Sequence, residues 1–271
     1  MEPTFAAAFP AAAHVLVDTG PDAGLPDALV VDGSDGHHLV RVRRLQVGEA
    51  VTAADGVGQW RPYLVSGTDN RELTLTATGP SHNEPVPAPG LAVAFALTKG
   101  VKPETVVRQL TELGVDEILP VVATRSIVRP RAERVGAVAQ RLERVAREAV
   151  MQSRRARLPR IAAVGPLAAL AGRPGLVIAE RGDLASTDPP WSDLASTDLA
   201  DPGVGGWLLV VGPEGGLTPE DLHMLEGTLD RRLPRLSVGP HILRAETAAV
   251  AAAAVLSARR SPAPSGRAPA S

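Results

Sequence analysis

From His14 to about residue 80, apolar and polar positions alternate in short runs. HVLVD, ALVVDG, EAVTAADG, WRPYLVSG and ELTLTATG each read as a half-buried β-strand closed by a turn signal. Asp55-Gly56-Val57-Gly58 predicts a hairpin turn. The pattern implies a small all-β unit, a barrel, over residues 1–80. The next ten residues, SHNEPVPAPG at 81–90, have no period and read as a Pro-rich linker.

After Gly90 strands and helices alternate. LAVAFALTKG predicts a buried strand. A helix starts near Pro103, with Val106, Val107, Leu110 and Leu113 on one face and Gly114 at its C-terminal stop. VDEILPVVA is the next strand. A helix of about 22 residues follows, in which Val135, Val138, Leu142, Val145 and Ala149 form the apolar stripe. GLVIAE and GWLLVV are two more strands. Thr218-Pro219-Glu220-Asp221 opens a helix: Thr218 is the N-cap, Pro219 the first helical residue and Asp221 the acid of a weak capping box. A short strand, RLSV, and an Ala-rich helix complete a domain expected over residues 91–260. The tail 261–271 reads as disordered. Strands alternating with helices define an α/β class with a parallel sheet.

Between the last two long strands the hexamer DLASTD occurs twice, at Asp183–Asp188 and Asp193–Asp198. Two polar copies are too few for a solenoid, and the stretch reads as a mobile acidic insertion.

Composition narrows the chemistry. The chain of 271 residues has no cysteine, so disulfides, thiolate metal sites and cysteine nucleophiles are excluded. The six histidines show no metal-ligand spacing, and no metal is expected. No apolar run approaches the roughly 20 residues that span a bilayer. The N-terminus lacks a basic flank, so a soluble cytoplasmic protein without a signal peptide is expected. Aromatics make up only 3%, which leaves Ala, Val and Leu to build the core. The net charge of −2 conceals a basic segment from Arg125 to Arg160, with eleven arginines against three glutamates. Such a segment suits an anionic partner.

Two loops share one pattern. Each follows an apolar strand, carries Gly-Pro and leads into a helix: VVGPEGGLTPED at 210–221 and LSVGPHILRAETA at 236–248. Ligands of open parallel sheets sit beyond the C-terminal strand ends, where both loops belong. The first loop does not suit a phosphate, because Glu214 sits at its centre and no P-loop Lys-Ser/Thr follows. Backbone polar groups beside an acid suit a polar ligand that is not strongly anionic, such as a nucleoside bearing a sulfonium. Spacing equally allows two plain structural turns, since Gly-Pro turns are common.

VVGPEGGLTPED and LSVGPHILRAETA resemble the signature loops of the bacterial 16S rRNA (uracil-N3)-methyltransferase family, in the SPOUT superfamily of trefoil-knotted methyltransferases. ALTKGVKPETVVRQLTELGVDEILPVVATRSIVR is similar to the opening of that family's catalytic domain. Glu148–Arg155 with Pro159 resembles its E-A-x-E-Q-S-x-R…P segment, and HHLVRVRRLQVGE resembles the entry of its N-terminal PUA-like, RNA-binding barrel. Met151, His241 and Ala245 depart from the usual residues. The resemblance implies a knot in the C-terminal sheet, a homodimer, and methyl transfer from S-adenosyl-L-methionine to N3 of a uridine in 16S rRNA, free or in the 30S subunit. It implies a cofactor site of Ala179, Glu180, Val211, Gly212, Glu214, Gly215, Gly216, Leu236, Ser237, Val238, Gly239, Ile242, Leu243 and Ala248. Arg244 would stabilise negative charge on the uracil, and Glu246 would accept its proton. RNA would meet His38, Arg41, Arg43 and Arg44 in the barrel, and Lys99, Lys102, Arg125, Arg129, Arg154, Arg155 and Arg157 beyond it. A catalytically idle RNA-binding module of the same fold, methylation of another RNA site, and a nucleotide-phosphate enzyme are the competing readings.

Overall fold

The computed structural model describes residues 5–20, 24–98, 103–179, 202, 205–227 and 233–262. The DLASTD repeats, Glu180, Lys99 and Lys102 lie outside them. Contacts divide the chain into two units, Met1–Val86 with Arg147–Leu158, and Pro87–Ala146 with Pro159–Ala263.

In the first unit β1 (Ala13–Leu16), β2 (Ala28–Val31), β3 (Ala50–Ala54), β4 (Gln59–Thr68) and β5 (Leu73–Ala77) form one sheet in the order β1-β3-β4-β5-β2, and β6 (His82–Asn83) pairs with β4. Val15 of one edge strand and Val31 of the other share a core with Tyr63, Val65 and Leu75, so the sheet wraps around that core. Asp55 makes the β3–β4 turn, its Oδ1 accepting N–H groups of Val57, Gly58 and Gln59. The all-β expectation needs one correction. Residues after β2 form a helical turn α1 (Gly33–His37) that runs into a π-helical turn, His38–Val42. Gly36 looks like a loop residue in the sequence but is a packing residue. A Cβ there would come within 2.4 Å of the carbonyl oxygens of Val31 and Arg71.

Residues 147–158 are stitched into this unit by buried polar contacts. Arg147 donates to the Leu16 carbonyl and pairs with Asp35 at 3.3 Å. Glu84 is buried and accepts N–H groups of Ala6 at 3.2 Å and Ala156 at 3.1 Å. Burial still raises its pKa, against the pull of those two donors. His14, also buried, bonds Thr52 Oγ1 through Nδ1 at 2.7 Å and the Arg155 carbonyl through Nε2 at 2.9 Å.

The second unit begins with β7 (Pro87–Ala88), which pairs with β15 (Ser261–Pro262). Part of the stretch read as linker and the start of the stretch read as tail are thus a two-stranded ladder. Arg260 secures it, donating to the carbonyls of Pro87, Pro89 and Gly114 and to Asp116 Oδ2 at 2.5 Å. The main sheet holds β8 (Leu91–Ala96), β9 (Glu117–Val122), β10 (Arg160–Ile161), β11 (Gly165–Pro166), β12 (Leu176–Ala179), β13 (Trp207–Val211) and β14 (Arg235–Leu236), between helices α2 (Pro103–Glu112), α3 (Ala132–Ser153), α4 (Pro219–Glu226) and α5 (Ala245–Ala258). Its order is β10-β9-β8-β13-β12-β14, β11 also joins β9, and every pairing is parallel.

Both faces of the sheet are covered. Val93, Leu209 and Val177 meet α2 and α5 on one side; Ala94, Val210 and Ile178 meet Leu225 of α4 and Leu167 and Leu170 on the other. Strands buried on both faces read as continuous apolar runs, which is why LAVAFA and WLLVV were legible. Ala249, Ala252 and Ala253 of α5 sit in this core, and their small size lets the helix lie close on β8 and β13. These alanines therefore pack within the unit and are not free to form a dimer surface. Among the described residues no helix is long and apolar enough to cross a membrane.

Candidate functional site

Three neighbouring strands, β13, β12 and β14, end at Val211, Ala179 and Leu236. The loops leaving β13 and β14 are the two Gly-Pro loops, and they enclose a cavity of about 260 Å³. Of the residues assigned to a cofactor from sequence, Ala179, Val211, Gly212, Glu214, Gly216, Leu236, Ser237, Val238, Gly239, Ile242, Leu243 and Ala248 line it together. Gly215 does not line it, and Glu180 lies outside the described residues. Ile178, Pro213, Leu217, Leu222, His241 and Ala245 also line it and were not singled out from sequence. Periodicity would have found Ile178, since it precedes the strand end, whereas Leu222 reaches the cavity from α4.

The first loop is tight. The Gly216 N–H bonds the Pro213 carbonyl at 2.8 Å, and Gly216 has φ +71°, a region open to glycine at little cost. The capping box closes the loop: Thr218 N–H reaches Asp221 Oδ2 at 3.0 Å, and Asp221 N–H reaches Thr218 Oγ1 at 3.1 Å. Asp221 does more than cap. Its Oδ1 accepts the Thr124 hydroxyl at 2.8 Å and the Thr124 N–H at 3.3 Å, which ties α4 to the turn after β9. Burial opposes ionisation of this carboxyl, but the donors from Thr218 and Thr124 outweigh it and hold its pKa below the ordinary value. Asp221→Ala leaves three donors without their acceptor. It is expected to cost about 2 kcal/mol of stability, and Asp221→Asn less, as read from urea midpoints.

Among the described residues the lining is mainly main chain and apolar side chain, with Glu214 and His241 as its ionisable members and no lysine or arginine. A neutral nucleoside with a cationic substituent matches both the apolar walls and Glu214. Among the described residues no cluster able to hold a metal occurs.

Arg244 and Glu246 stand beside this cavity and do not line it. Arg244 is the exposed N-cap residue of α5. Glu246, in the first turn, lines a small adjoining pocket with Phe95, Ala96, Leu97, Thr98, Pro103 and Val106 at the end of β8. Its Oε2 is buried without a hydrogen-bond partner. Ala245 borders both pockets, so they meet where α5 begins.

The residues assigned to RNA divide into groups. His38, Arg41, Arg43 and Arg44 are exposed on the first unit, although Arg41 bonds Asn70 and Arg43 bonds the Ala12 carbonyl. Arg154 donates to the carbonyls of Phe9 and Ala11, and Arg157 to those of Val57 and Glu84. The Arg155 carbonyl holds His14. In the second unit Arg125 donates to the Gly215 carbonyl and Arg129 to that of Thr124. A count of charge along the chain cannot show that arginines are committed to carbonyl oxygens.

The sheet of the first unit, the parallel α/β unit and its strand-end cavity match an RNA-modifying enzyme class in comparison with known proteins. Residues 85–257 match the RNA methyltransferase domain, and residues 31–77 the RNA methyltransferase PUA domain. Ribosomal RNA small subunit methyltransferase E of Mycobacterium bovis is 33% identical over 241 residues, covering 87% of each chain. That of Bacillus subtilis is 28% identical, covering 84% of this chain and 88% of its own. The fold is shared with a ribosomal RNA small subunit methyltransferase E from Neisseria gonorrhoeae solved with S-adenosyl methionine, with a TM-score of 0.73, 21% identity, and coverage of 91% of this chain and 97% of that one. The chain belongs to the ribosomal RNA small subunit methyltransferase E family.

Proposed function

We propose that this protein methylates N3 of a uridine in 16S rRNA, using S-adenosyl-L-methionine bound between the two Gly-Pro loops. The observation that carries the reading is the shared cavity, which joins residues 211–216 to 236–243 and offers main-chain groups, apolar walls and one carboxylate. When bound, S-adenosyl-L-methionine supplies a methyl group on a sulfonium sulfur. Leu236, Val238, Ile242 and Leu243 would give apolar contact to the adenine, while the glycines let the backbone approach. Glu214 favours the positive sulfur. Ala179, at the end of β12, would flank the ribose or methionine part.

The uracil N3 is a poor nucleophile while it carries its proton. Glu246 accepts that proton, and its buried, unpartnered oxygen is the atom suited to do so. Arg244 stabilises the negative charge that spreads to the uracil oxygens. The deprotonated nitrogen would then take the methyl group that S-adenosyl-L-methionine supplies, leaving the cofactor as a neutral thioether.

The domains follow the same reading: an RNA-binding barrel over residues 1–80, a connection over 81–90 and a catalytic domain over 91–260. The last strand and helix, β14 and α5, thread an earlier loop as the trefoil knot, and two copies form a cytoplasmic homodimer. RNA is held through phosphates by Lys99, Lys102 and the exposed arginines. Its affinity is therefore expected to fall steeply with salt, by roughly 10³-fold or more from about 50 to 200 mM if six or more phosphates are neutralised. A filter-binding series that stays flat across that range would remove the phosphate contacts. The activity itself is tested by mapping methylated nucleosides in 16S rRNA from cells lacking the protein. A uridine methylation at N3 that is lost on deletion and regained on complementation is the expected result.

A further inference from the structure

Gly215 does not face the cavity, yet a side chain there would press on a neighbour. Its φ is not in the left-handed region, so conformation does not demand glycine. Space favours it: a Cβ would lie 3.2 Å from Arg125 Cδ, a tight contact to which the Arg125 side chain would have to yield, and 3.6 Å from Arg125 Cβ. The Arg125 side chain runs across Gly215, and its Nη1 donates to the Gly215 carbonyl at 2.6 Å. The preceding residue, Thr124, binds the Asp221 carboxylate. Two consecutive residues of the β9–α3 connection thus grip the cofactor loop at two points, its middle at 215 and its helical end at 221.

The grip has a rigid base. The buried Ser126 accepts the Ala123 N–H through its hydroxyl at 3.0 Å and returns its own N–H to the Ala123 carbonyl at 3.0 Å. Arg129 Nη2 donates to the Thr124 carbonyl at 3.0 Å. The turn at 123–126 is therefore held from both sides, and Arg125 projects from a fixed point.

We infer that Arg125 is a positioning residue for the cofactor cavity, lying across Gly215 so that Gly212, Glu214 and Gly216 face the ligand. This deepens the assignment of the cavity to S-adenosyl-L-methionine and rests on it. Arg125 does not line the cavity. Its effect passes through the shape of the loop, so it falls on cofactor affinity more than on global stability.

The test is calorimetric titration of S-adenosylhomocysteine into the full-length wild type, Arg125→Ala, Arg125→Lys, Gly215→Ala and the double variant Arg125→Ala/Gly215→Ala, with melting temperatures measured in parallel. Arg125→Ala is expected to weaken binding about tenfold with little change in melting temperature, the loss of one charge-assisted hydrogen bond. Arg125→Lys should recover part of that loss. Gly215→Ala should weaken binding alone but add almost nothing to Arg125→Ala, because the side chain it collides with is gone; such non-additivity marks direct contact. Wild-type affinity in Arg125→Ala, or additive losses in the double variant, would overturn this inference and leave the cofactor assignment standing. Failure of the wild type to bind would overturn both.

Discussion

Arg244→Ala is expected to lower kcat about 10²- to 10³-fold while leaving the Kd for S-adenosylhomocysteine within about twofold, the cost of removing one group that meets developing charge. The geometry sets this split. Arg244 sits at the N-cap of α5 with its side chain exposed, and it is not part of the cavity lining. Its carbonyl accepts the Ala248 N–H at 2.8 Å, an interaction that alanine retains, so the helix start survives the substitution. What is lost is a cation beside the place where the two pockets meet. An interaction absent from the cofactor complex and present at the transition state changes kcat and not ligand affinity.

Glu246→Gln is the companion variant, since an amide keeps the shape but cannot take the proton. Lysine at 244 should recover part of the rate, because the charge returns without the planar fork of arginine. Single-turnover methylation of 30S subunits and calorimetry on the same preparations supply both numbers. If Arg244→Ala loses rate and cofactor affinity in equal measure, the residue belongs to the cofactor site and has no role at the uracil.

The strands of both units were legible because each announces itself locally. Alternation marked β1 to β5, and runs such as LAVAFA and WLLVV marked strands covered on both faces. The long arginine-rich helix was legible for the same reason, its apolar stripe running from Val135 to Ala149. What failed was any feature fixed by a distant backbone. Gly36 sits against the carbonyls of Val31 and Arg71, so a residue type that signals a loop belongs here to a helix. The pairing of Pro87–Ala88 with Ser261–Pro262 joins residues too far apart for a local pattern to report.

The candidate site follows the same division. Its cavity was readable because loops after neighbouring strand ends must converge, and glycine, proline and apolar residues at those ends show what can converge there. The support of the site was not readable. Thr124 and Arg125 meet Asp221 and Gly215 from about 90 residues away in sequence. The charge of Arg154 and Arg157 is visible along a chain, while their carbonyl partners at Phe9, Ala11, Val57 and Glu84 are not. Resemblance to a family supplied the order of motifs and the chemistry. It did not supply which side chains hold the loops in place.

Lowering the pH from about 7 to about 4 is expected to cost the wild type about 3 kcal/mol more stability than it costs a His14→Gln variant. Burial, with a smaller contribution from the nearby Arg154 cation, lowers the His14 pKa from the ordinary 6.5 to about 4, against the hydrogen bond to Arg155, which acts the other way. The Arg155 carbonyl requires the proton on Nε2, which in the neutral ring leaves Nδ1 to accept from the Thr52 hydroxyl. Above the unfolded pKa both states are neutral at this residue and it contributes no pH dependence. Between 6.5 and about 4 the unfolded chain takes up the proton and the folded chain does not, so stability falls at up to about 1.4 kcal/mol per pH unit. Below that window both states are charged and the loss levels off. Glu84 acts in the opposite sense: its raised pKa lets the folded state bind a proton first, which adds relative stability as the pH falls towards the unfolded carboxyl range. Both variants keep Glu84, so the difference between their urea midpoints across the series isolates His14, provided the m-values agree. Parallel curves would mean that the folded ring accepts its second proton as easily as the unfolded one. A divergence that opens near pH 6.5 and levels off near 4 would show the histidine held neutral at the contact where residues 147–158 join the first unit.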